Sequence, residues 1–422
     1  MSIWSRRRAR HGFAIVAALL AVMLSSQVTL AAVTWSSPQS VGPTYSWNHG
    51  QALARTKSGT TNYLHTQYTT DFIGGEFVTD DGPFQGVYYR RGNSAGTSWA
   101  GTKRLNPIDE HAGHGALAAA GQYVYVAFTK LSADGRPVRV AINTNFGLSN
   151  AWLSTKNFEA PGRVDRPAIA AAGAWAYVVF TDADTGDIHF TTNNGTNSED
   201  IGWTGRVVGT TERLNDEGDG FAGTPVVGAV GSTVVVAWIT TGSGGIKAIT
   251  STDNGDTWSA PTTISTAQAW DLASSGDGSR IALTWVTNAS LKVKLLKSGI
   301  WQSTRTVATF GSSSTDKMDY GPAVALTGNT RIGVAWSACT RADCAGGTTK
   351  GVNIRWRESS DNGATWKSTV TVASFAASSS KRLNEYPSVV MTTTPRRYVL
   401  YNTASSTFTT YKTYLEVGSG TP

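Results

Sequence analysis

Short apolar runs ending in an aromatic residue recur along the chain: Val124-Tyr125-Val126-Ala127-Phe128, Tyr177-Val178-Val179-Phe180, Val234-Val235-Val236-Ala237-Trp238, Ile281-Ala282-Leu283-Thr284-Trp285 and Ile332-Gly333-Val334-Ala335-Trp336. The closing aromatics lie 52, 58, 47 and 51 residues apart. Runs this short, rich in β-branched residues and bounded by Gly, Ser and Asn, predict buried strands rather than helices. A run of small and branched residues precedes each, at 116–120, 167–172, 225–230, 271–274 and 322–326. Even spacing of such pairs predicts a repeat architecture in which each unit covers its neighbour.

Two further units flank these five. The first holds strands at 51–54, 62–66 and 87–91 and a tip ending at Trp99, and the last holds strands at 387–391, 397–401 and 409–417 without a fourth. Thr34-Trp35-Ser36-Ser37-Pro38 matches Thr257-Trp258-Ser259-Ala260-Pro261, which opens a fourth strand, so the mature N-terminal strand is expected to join the last unit. Small first strands suit the crowded centre of a ring, and ring closure leaves no open sheet edge. The expected fold is all-β, a single β-propeller of seven four-stranded blades over residues 32–422. Six blades is the alternative, because the unit from Trp270 to Trp301 is short.

One octapeptide occurs twice after a third strand: Ser251-Thr252-Asp253-Asn254-Gly255-Asp256-Thr257-Trp258 and Ser359-Ser360-Asp361-Asn362-Gly363-Ala364-Thr365-Trp366. Its polar residues predict a hairpin tip in which the Asp accepts hydrogen bonds from the turn amides, Gly takes a positive φ and Trp presents a large apolar face. Asn145-Phe146-Gly147, Asn193-Asn194-Gly195 and Lys297-Ser298-Gly299 stand at the matching places as decayed copies. Strand alternation puts these tips and the first-to-second turns on one face. The long polar loops (68–86, 130–136, 337–350) and the blade crossings (106–114, 215–224, 311–320) fall on the other, where recognition is usually built. The crossings repeat a basic, an apolar and an Asn or Asp residue: Arg104-Leu105-Asn106, Arg163-Val164-Asp165, Arg213-Leu214-Asn215, Lys317-Met318-Asp319 and Arg382-Leu383-Asn384. A joint in which the Asn or Asp satisfies loop amides accounts for the repetition, and an anion held by the basic groups is the alternative.

Composition changes this picture at the N-terminus. Arg6, Arg7, Arg8 and Arg10 precede an apolar run over 13–24, and Thr29-Leu30-Ala31 offers a small-residue cleavage site, so 1–31 is read as a secretory signal peptide. Its strongly apolar part is shorter than a membrane span requires, so no stable membrane insertion is expected after cleavage. Cleavage removes four Arg and no acid, taking the formal charge from +7 to +3. Without a basic run, that charge argues against a nucleic-acid partner. Cys339 and Cys344 are the only cysteines, and in a secreted chain they are expected to form a local disulfide.

His49 and His114 both begin first strands and are followed by Gly, which places them at the same mouth as candidate ligand-binding residues. His111, Asp109 and Glu110 stand beside His114, but one H-x-x-H in a loop is a weak metal signal, and neither metal nor cofactor is expected. His65 and His189 lie within strands and read as packing residues.

The two octapeptides resemble the Asp box, S-x-D-x-G-x-T-W, of the sialidase-like β-propeller superfamily, also called BNR repeats. In this resemblance Ser251, Asp253, Gly255, Thr257, Trp258, Ser359, Asp361, Gly363, Thr365 and Trp366 are structural, and the active site lies on the opposite face. The resemblance implies an acid/base Asp on the first blade's second-to-third loop, a position matched by Asp81. It implies a Tyr nucleophile polarised by a Glu, for which Tyr386 or Tyr320 are the candidates, with Glu385 beside Tyr386. Catalytic sialidases also open the first blade with an Arg that grips the substrate carboxylate, and His49 stands there instead. Arg166, in Asp165-Arg166-Pro167, is a look-alike in another blade, and with Asp319 it is a candidate for ligand binding.

The expectation is therefore a secreted, monomeric Asp-box propeller that recognises glycans or another extracellular ligand on its long-loop face. The alternative is a sialidase-like exo-glycoside hydrolase, and a third reading is a structural or protein-binding extracellular propeller.

Overall fold

The computed structural model describes residues 33–41, 51–70, 86–131, 137–153, 156–158, 167–182, 184–193, 203–204, 225–240, 244–269, 271–310, 317–318, 321–339, 352–374, 381–394, 396–405 and 411–420. Among them there is no helix, and the strands form seven antiparallel sheets. Blade 1 comprises Ala52–Ser58, Thr61–Thr70, Gly86–Gly92 and Lys103–Arg104. Blade 2 comprises His111–Ala120, Tyr123–Leu131, Val138–Asn143 and Lys156–Phe158. Blade 3 comprises Ala168–Ala172, Trp175–Thr181, Ile188–Asn193 and Trp203–Thr204. Blade 4 comprises Val226–Val230, Thr233–Ile239, Ile246–Ser251 and Thr262–Ser265.

Blade 5, the unit that left six blades open, is complete: Asp271–Asp277, Arg280–Val286 and Ser290–Lys297, with Ile300–Trp301 and Arg305–Thr309 outermost. It looked short because its turns are tight and its outer strand is split. Blade 6 holds Ala323–Thr327, Arg331–Cys339, Asn353–Ser359 and Val370–Ala373, with Lys317–Met318 pairing on its second strand. Blade 7 holds Lys381–Met391, Arg397–Ser405 and Tyr411–Ser419. Its outer positions come from the other end of the chain, Thr34–Trp35 and Gln39–Ser40, which pair with Tyr411–Ser419 so that Thr34 faces Ser419 and Gln39 faces Leu415.

The hydrophobic core is divided by the seams. Among the described residues it forms seven clusters, each drawing side chains from two adjacent blades. The repeated aromatics fill them: Phe128, Phe180, Trp238, Trp285 and Trp336 are all buried. A blade therefore cannot bury its own faces alone, which is the physical reason for the repeat.

Both intact boxes close as their residue types require. Asp253 accepts from the Thr257 amide at 2.9 Å and the Thr257 hydroxyl at 2.5 Å, and Ser251 Oγ accepts from the Gly255 amide at 2.8 Å. Asp361, Thr365, Ser359 and Gly363 repeat these bonds at 2.8, 2.5 and 2.8 Å. These donors hold both exposed carboxylates down at a pKa of about 2. The residue before each tip glycine, Phe146, Asn254, Ser298 or Asn362, has φ between 48° and 63°. Its amide donates to the first-to-second turn of the same blade, at Gln122, Ser232, Ser279 and Thr330 respectively. Tips and turns thus share one face.

The boxes also join blades. A Cβ on Gly255 would lie 2.4 Å from the Phe190 ring of blade 3, and Trp258 meets that ring edge-on at 4.9 Å. Tyr177 of blade 3 donates to Asn254 Oδ1 at 2.7 Å, and Arg280 of blade 5 donates to Asn362 Oδ1 at 2.6 Å. At the next seam, Glu358 of blade 6 accepts from Arg331 Nε at 2.9 Å and from Arg397 Nε of blade 7 at 2.6 Å. His65 is a packing residue with a hydrogen-bonded role: Nε2 meets Thr56 Oγ1 and Nδ1 meets Tyr89 OH, both at 2.7 Å. Burial, aided by the Arg91 charge, pushes its pKa down to about 3 and keeps it neutral.

Candidate functional site at the mouth of the ring

The first strands of all seven blades line a central channel of about 570 Å³. Small residues dominate it, including Ala54, Ala118, Ala170, Gly228, Ser274, Ala325 and Val389. Seven strands can meet on one axis only if the side chains facing it are short. At the box-face end the lining turns charged, with Arg55 of blade 1 and Asp277 of blade 5. Burial lowers the Arg55 pKa against the raising effect of the Asp277 charge, and burial raises that of Asp277 against the lowering effect of the Arg280 and Arg55 charges.

The opposite end is the mouth, on the long-loop face. Gln51, just before the first inner strand, accepts from Asn402 Nδ2 of blade 7 at 2.6 Å, and Asn402 Oδ1 accepts from Thr413 Oγ1 at 2.8 Å. All three are buried, so this chain rigidifies the seam between the last and first blades. Asp271 opens the fifth inner strand, its Oδ1 accepting from the Leu272 amide at 2.8 Å, and a Cβ on Gly321 would meet its Oδ2 at 2.3 Å. Asp271 therefore sits where blades 5 and 6 meet at the mouth, and only its place at the start of a first strand could have marked it in the sequence.

The first crossing shows how the recurring basic-apolar-Asn triplet works. Asn106 Oδ1 accepts from the Val87 amide at 2.9 Å and its Nδ2 donates to Glu110 O at 2.6 Å. Arg104 reaches the same Glu110 carbonyl at 3.3 Å, and Leu105 packs into the seam between blades 1 and 2. In this copy the triplet is a joint. It also presents Glu110, whose carboxylate pairs with Lys130 at 3.3 Å and with Arg139. These pairs were not legible, because Lys130 and Arg139 come from the second and third strands of blade 2.

The first strand of blade 2, expected to begin at His114, begins earlier, at His111, which was read as part of the crossing; it is the ten-residue strand His111–Ala120. His111 pairs with Leu131 and Gly113 with Thr129 before the register shifts ahead of Ala116. Gly115 accommodates the Gln67 amide, which would lie 2.2 Å from a Cβ there. Glu385 and Tyr386 lie on the strand Lys381–Met391, with Glu385 opposite Asn402 and hence at the mouth end of the last inner strand. His49, Asp81, Arg166, Asp319 and Tyr320 lie outside the described residues, as do residues 1–31 and Cys344, while Cys339 ends a strand of blade 6.

A Tyr–Glu pair does exist elsewhere. Tyr401 OH donates to Glu416 Oε1 at 2.8 Å. Both residues are buried, and Tyr401 packs in the seam between blades 6 and 7. Burial raises the Glu416 pKa to about 7, with the Tyr401 hydrogen bond acting the other way. Its burial makes this pair part of the core rather than an accessible nucleophile. Among the described residues, no group of three or more His, Cys, Asp or Glu side chains could hold a metal, and no helix is long and apolar enough to cross a membrane.

No protein-family model matches the chain, and no curated protein matches it. Solved structures similar to it include Trypanosoma rangeli sialidase in complex with sialic acid, at 10% identity and a TM-score of 0.46, over 91% of this chain and 58% of that one. NanB sialidase from Streptococcus pneumoniae is similar at 9% identity and a TM-score of 0.45, over 93% of this chain and 70% of that one. A Bacteroides ovatus GH43B structure is similar at 11% identity and a TM-score of 0.36, over 72% of this chain and 51% of that one. The chain thus spans under two thirds of the length of the Trypanosoma protein.

Proposed function

We propose that residues 32–422 act as a secreted glycan-recognition propeller whose ligand seats on the long-loop face, over the mouth of the central channel. The observation that carries this reading is the convergence of seven inner strands on one mouth, with the buried Gln51–Asn402–Thr413 chain stiffening the seam that closes the ring. A sugar is recognised by polar groups whose positions are fixed before it arrives, because ordering them on binding would cost affinity. A ring stiffened at its closing seam would hold groups at its rim in fixed positions, and the long loops of the same face would supply the selective contacts.

A second reading is favoured by one placement: the strand Lys381–Met391 carries Glu385 and Tyr386 to the mouth end. In that reading the protein is a sialidase-like glycoside hydrolase, with Tyr386 as nucleophile and Asp81 of the first blade as acid/base. The mature chain should be screened on a glycan array and assayed with a fluorogenic sialoside. Array binding without turnover supports the recognition reading. Turnover abolished in both Asp81→Asn and Tyr386→Phe establishes the second reading. Neither binding nor turnover contradicts both.

A further inference from the structure

On the face bearing the Asp boxes, the side chain of the residue before the tip glycine is met by the preceding blade in blades 2, 4 and 6. Phe146 lies against the Tyr63 ring at 6.0 Å, Asn254 accepts from Tyr177, and Asn362 accepts from Arg280. The seam between blades 4 and 5 departs from this pattern. Its tip residue is Ser298, and the blade 4 residue matching Arg280 in register is Thr233: Thr233 faces Val230 as Arg280 faces Asp277. A threonine is too short to cross. What remains is a cleft of about 410 Å³, lined by Ser232, Thr233 and Thr252 from blade 4 and by Ser279, Ser298 and Gly299 from blade 5. The tip glycines record the same gap: a Cβ on Gly96, Gly147, Gly255 or Gly363 would meet a side chain of the preceding blade, whereas one on Gly299 would meet nothing within 4 Å.

We propose that this cleft is a binding socket for the guanidinium group of an arginine side chain, presented by a peptide segment of another protein. The neighbouring seam shows how such a group is held. There Arg280 donates to Asn362 Oδ1 at 2.6 Å, Gly328 O at 2.7 Å and Arg331 O at 3.3 Å. The counterparts of these acceptors in the open seam are Ser298 Oγ, Gly278 O and Arg280 O, since Gly278 and Gly328 occupy the same turn position with φ of 65° and 58°. A planar fork of five donors matches acceptors spread around a turn, which a compact ammonium does not. The socket lies on the face opposite the mouth, so it is independent of the ligand proposed above.

Calorimetric titration of the mature chain with N-acetyl-arginine amide and N-acetyl-lysine amide tests the socket. The arginine compound should bind at least about tenfold more tightly. Thr233→Arg, which supplies the guanidinium from within, should abolish that binding and raise the melting temperature, and Ser298→Ala should weaken it severalfold without altering the fold. The proposal is overturned if the arginine compound does not bind, if the lysine compound binds equally well, or if Ser298→Ala and any folded Thr233→Arg protein bind as the parent does.

Discussion

Glu358 tests how the seams are held. Its carboxylate is 3% exposed and bridges Arg331 of its own blade to Arg397 of the next, with Arg397 itself fully buried. In Glu358→Leu the Arg397 guanidinium keeps its charge and loses its carboxylate, and removing one partner of a buried pair costs ~3–5 kcal/mol. At an unfolding entropy of about 2 cal/mol/K per residue, a cooperative unit of this length should melt ~4–6 °C lower. Urea unfolding followed by tryptophan fluorescence gives the free energy, and calorimetry gives the melting shift. Adding Arg397→Met removes the stranded charge, so the double variant should recover ~1–3 kcal/mol relative to the sum of the single changes. A loss under about 1 kcal/mol for Glu358→Leu, or simple additivity of the pair, would refute the reading of this seam as a coupled ionic joint.

Three further outcomes follow from the same geometry. Tyr177→Phe removes the hydroxyl that grips Asn254 across a seam and should cost ~1 kcal/mol in urea unfolding, with the twisted β signal in circular dichroism unchanged. Asp253 and Asp361 have pKa values depressed from 3.8 to about 2, so the stability they lend is present above the unfolded value and lost as pH falls through about 2. Hydrogen-exchange protection factors at 251–258 and 359–366 should therefore fall between pH 4 and pH 2 ahead of those of the blade interiors. Glu416 is the opposite case: its pKa rises from 4.5 to about 7, so the folded state binds the extra proton and stability falls as pH rises through that window. Glu416→Gln keeps an acceptor for Tyr401 and should flatten that fall, making the variant relatively more stable at pH 8 than at pH 5.

The blades were legible because each obeys the same local constraint. A second strand ending in Phe128, Phe180, Trp238, Trp285 or Trp336 has to be buried, and the spacing of those residues counted the units between them. The boxes were legible for the same reason, since Ser, Asp, Gly and Thr at fixed offsets satisfy one another within eight residues. The seams were not. Arg280 and Arg397 stand at strand starts, where a charge ordinarily reads as solvated, and only ring geometry brings Asn362 or Glu358 against them. The mouth was partly legible. The Arg104-Leu105-Asn106 joint followed from its repetition, but Gln51 finds Asn402 across 351 residues of sequence, a pairing that no local pattern records.

Ligand recognition on the long-loop face, as proposed above, predicts where a bound glycan protects the backbone. Hydrogen–deuterium exchange of residues 32–422, with and without the strongest glycan from the array, tests it directly. Protection confined to mouth segments such as 104–114 and 381–391, with 251–258 and 359–366 unchanged, is the predicted result. Protection centred on the two box hairpins, with the mouth segments unchanged, would contradict it.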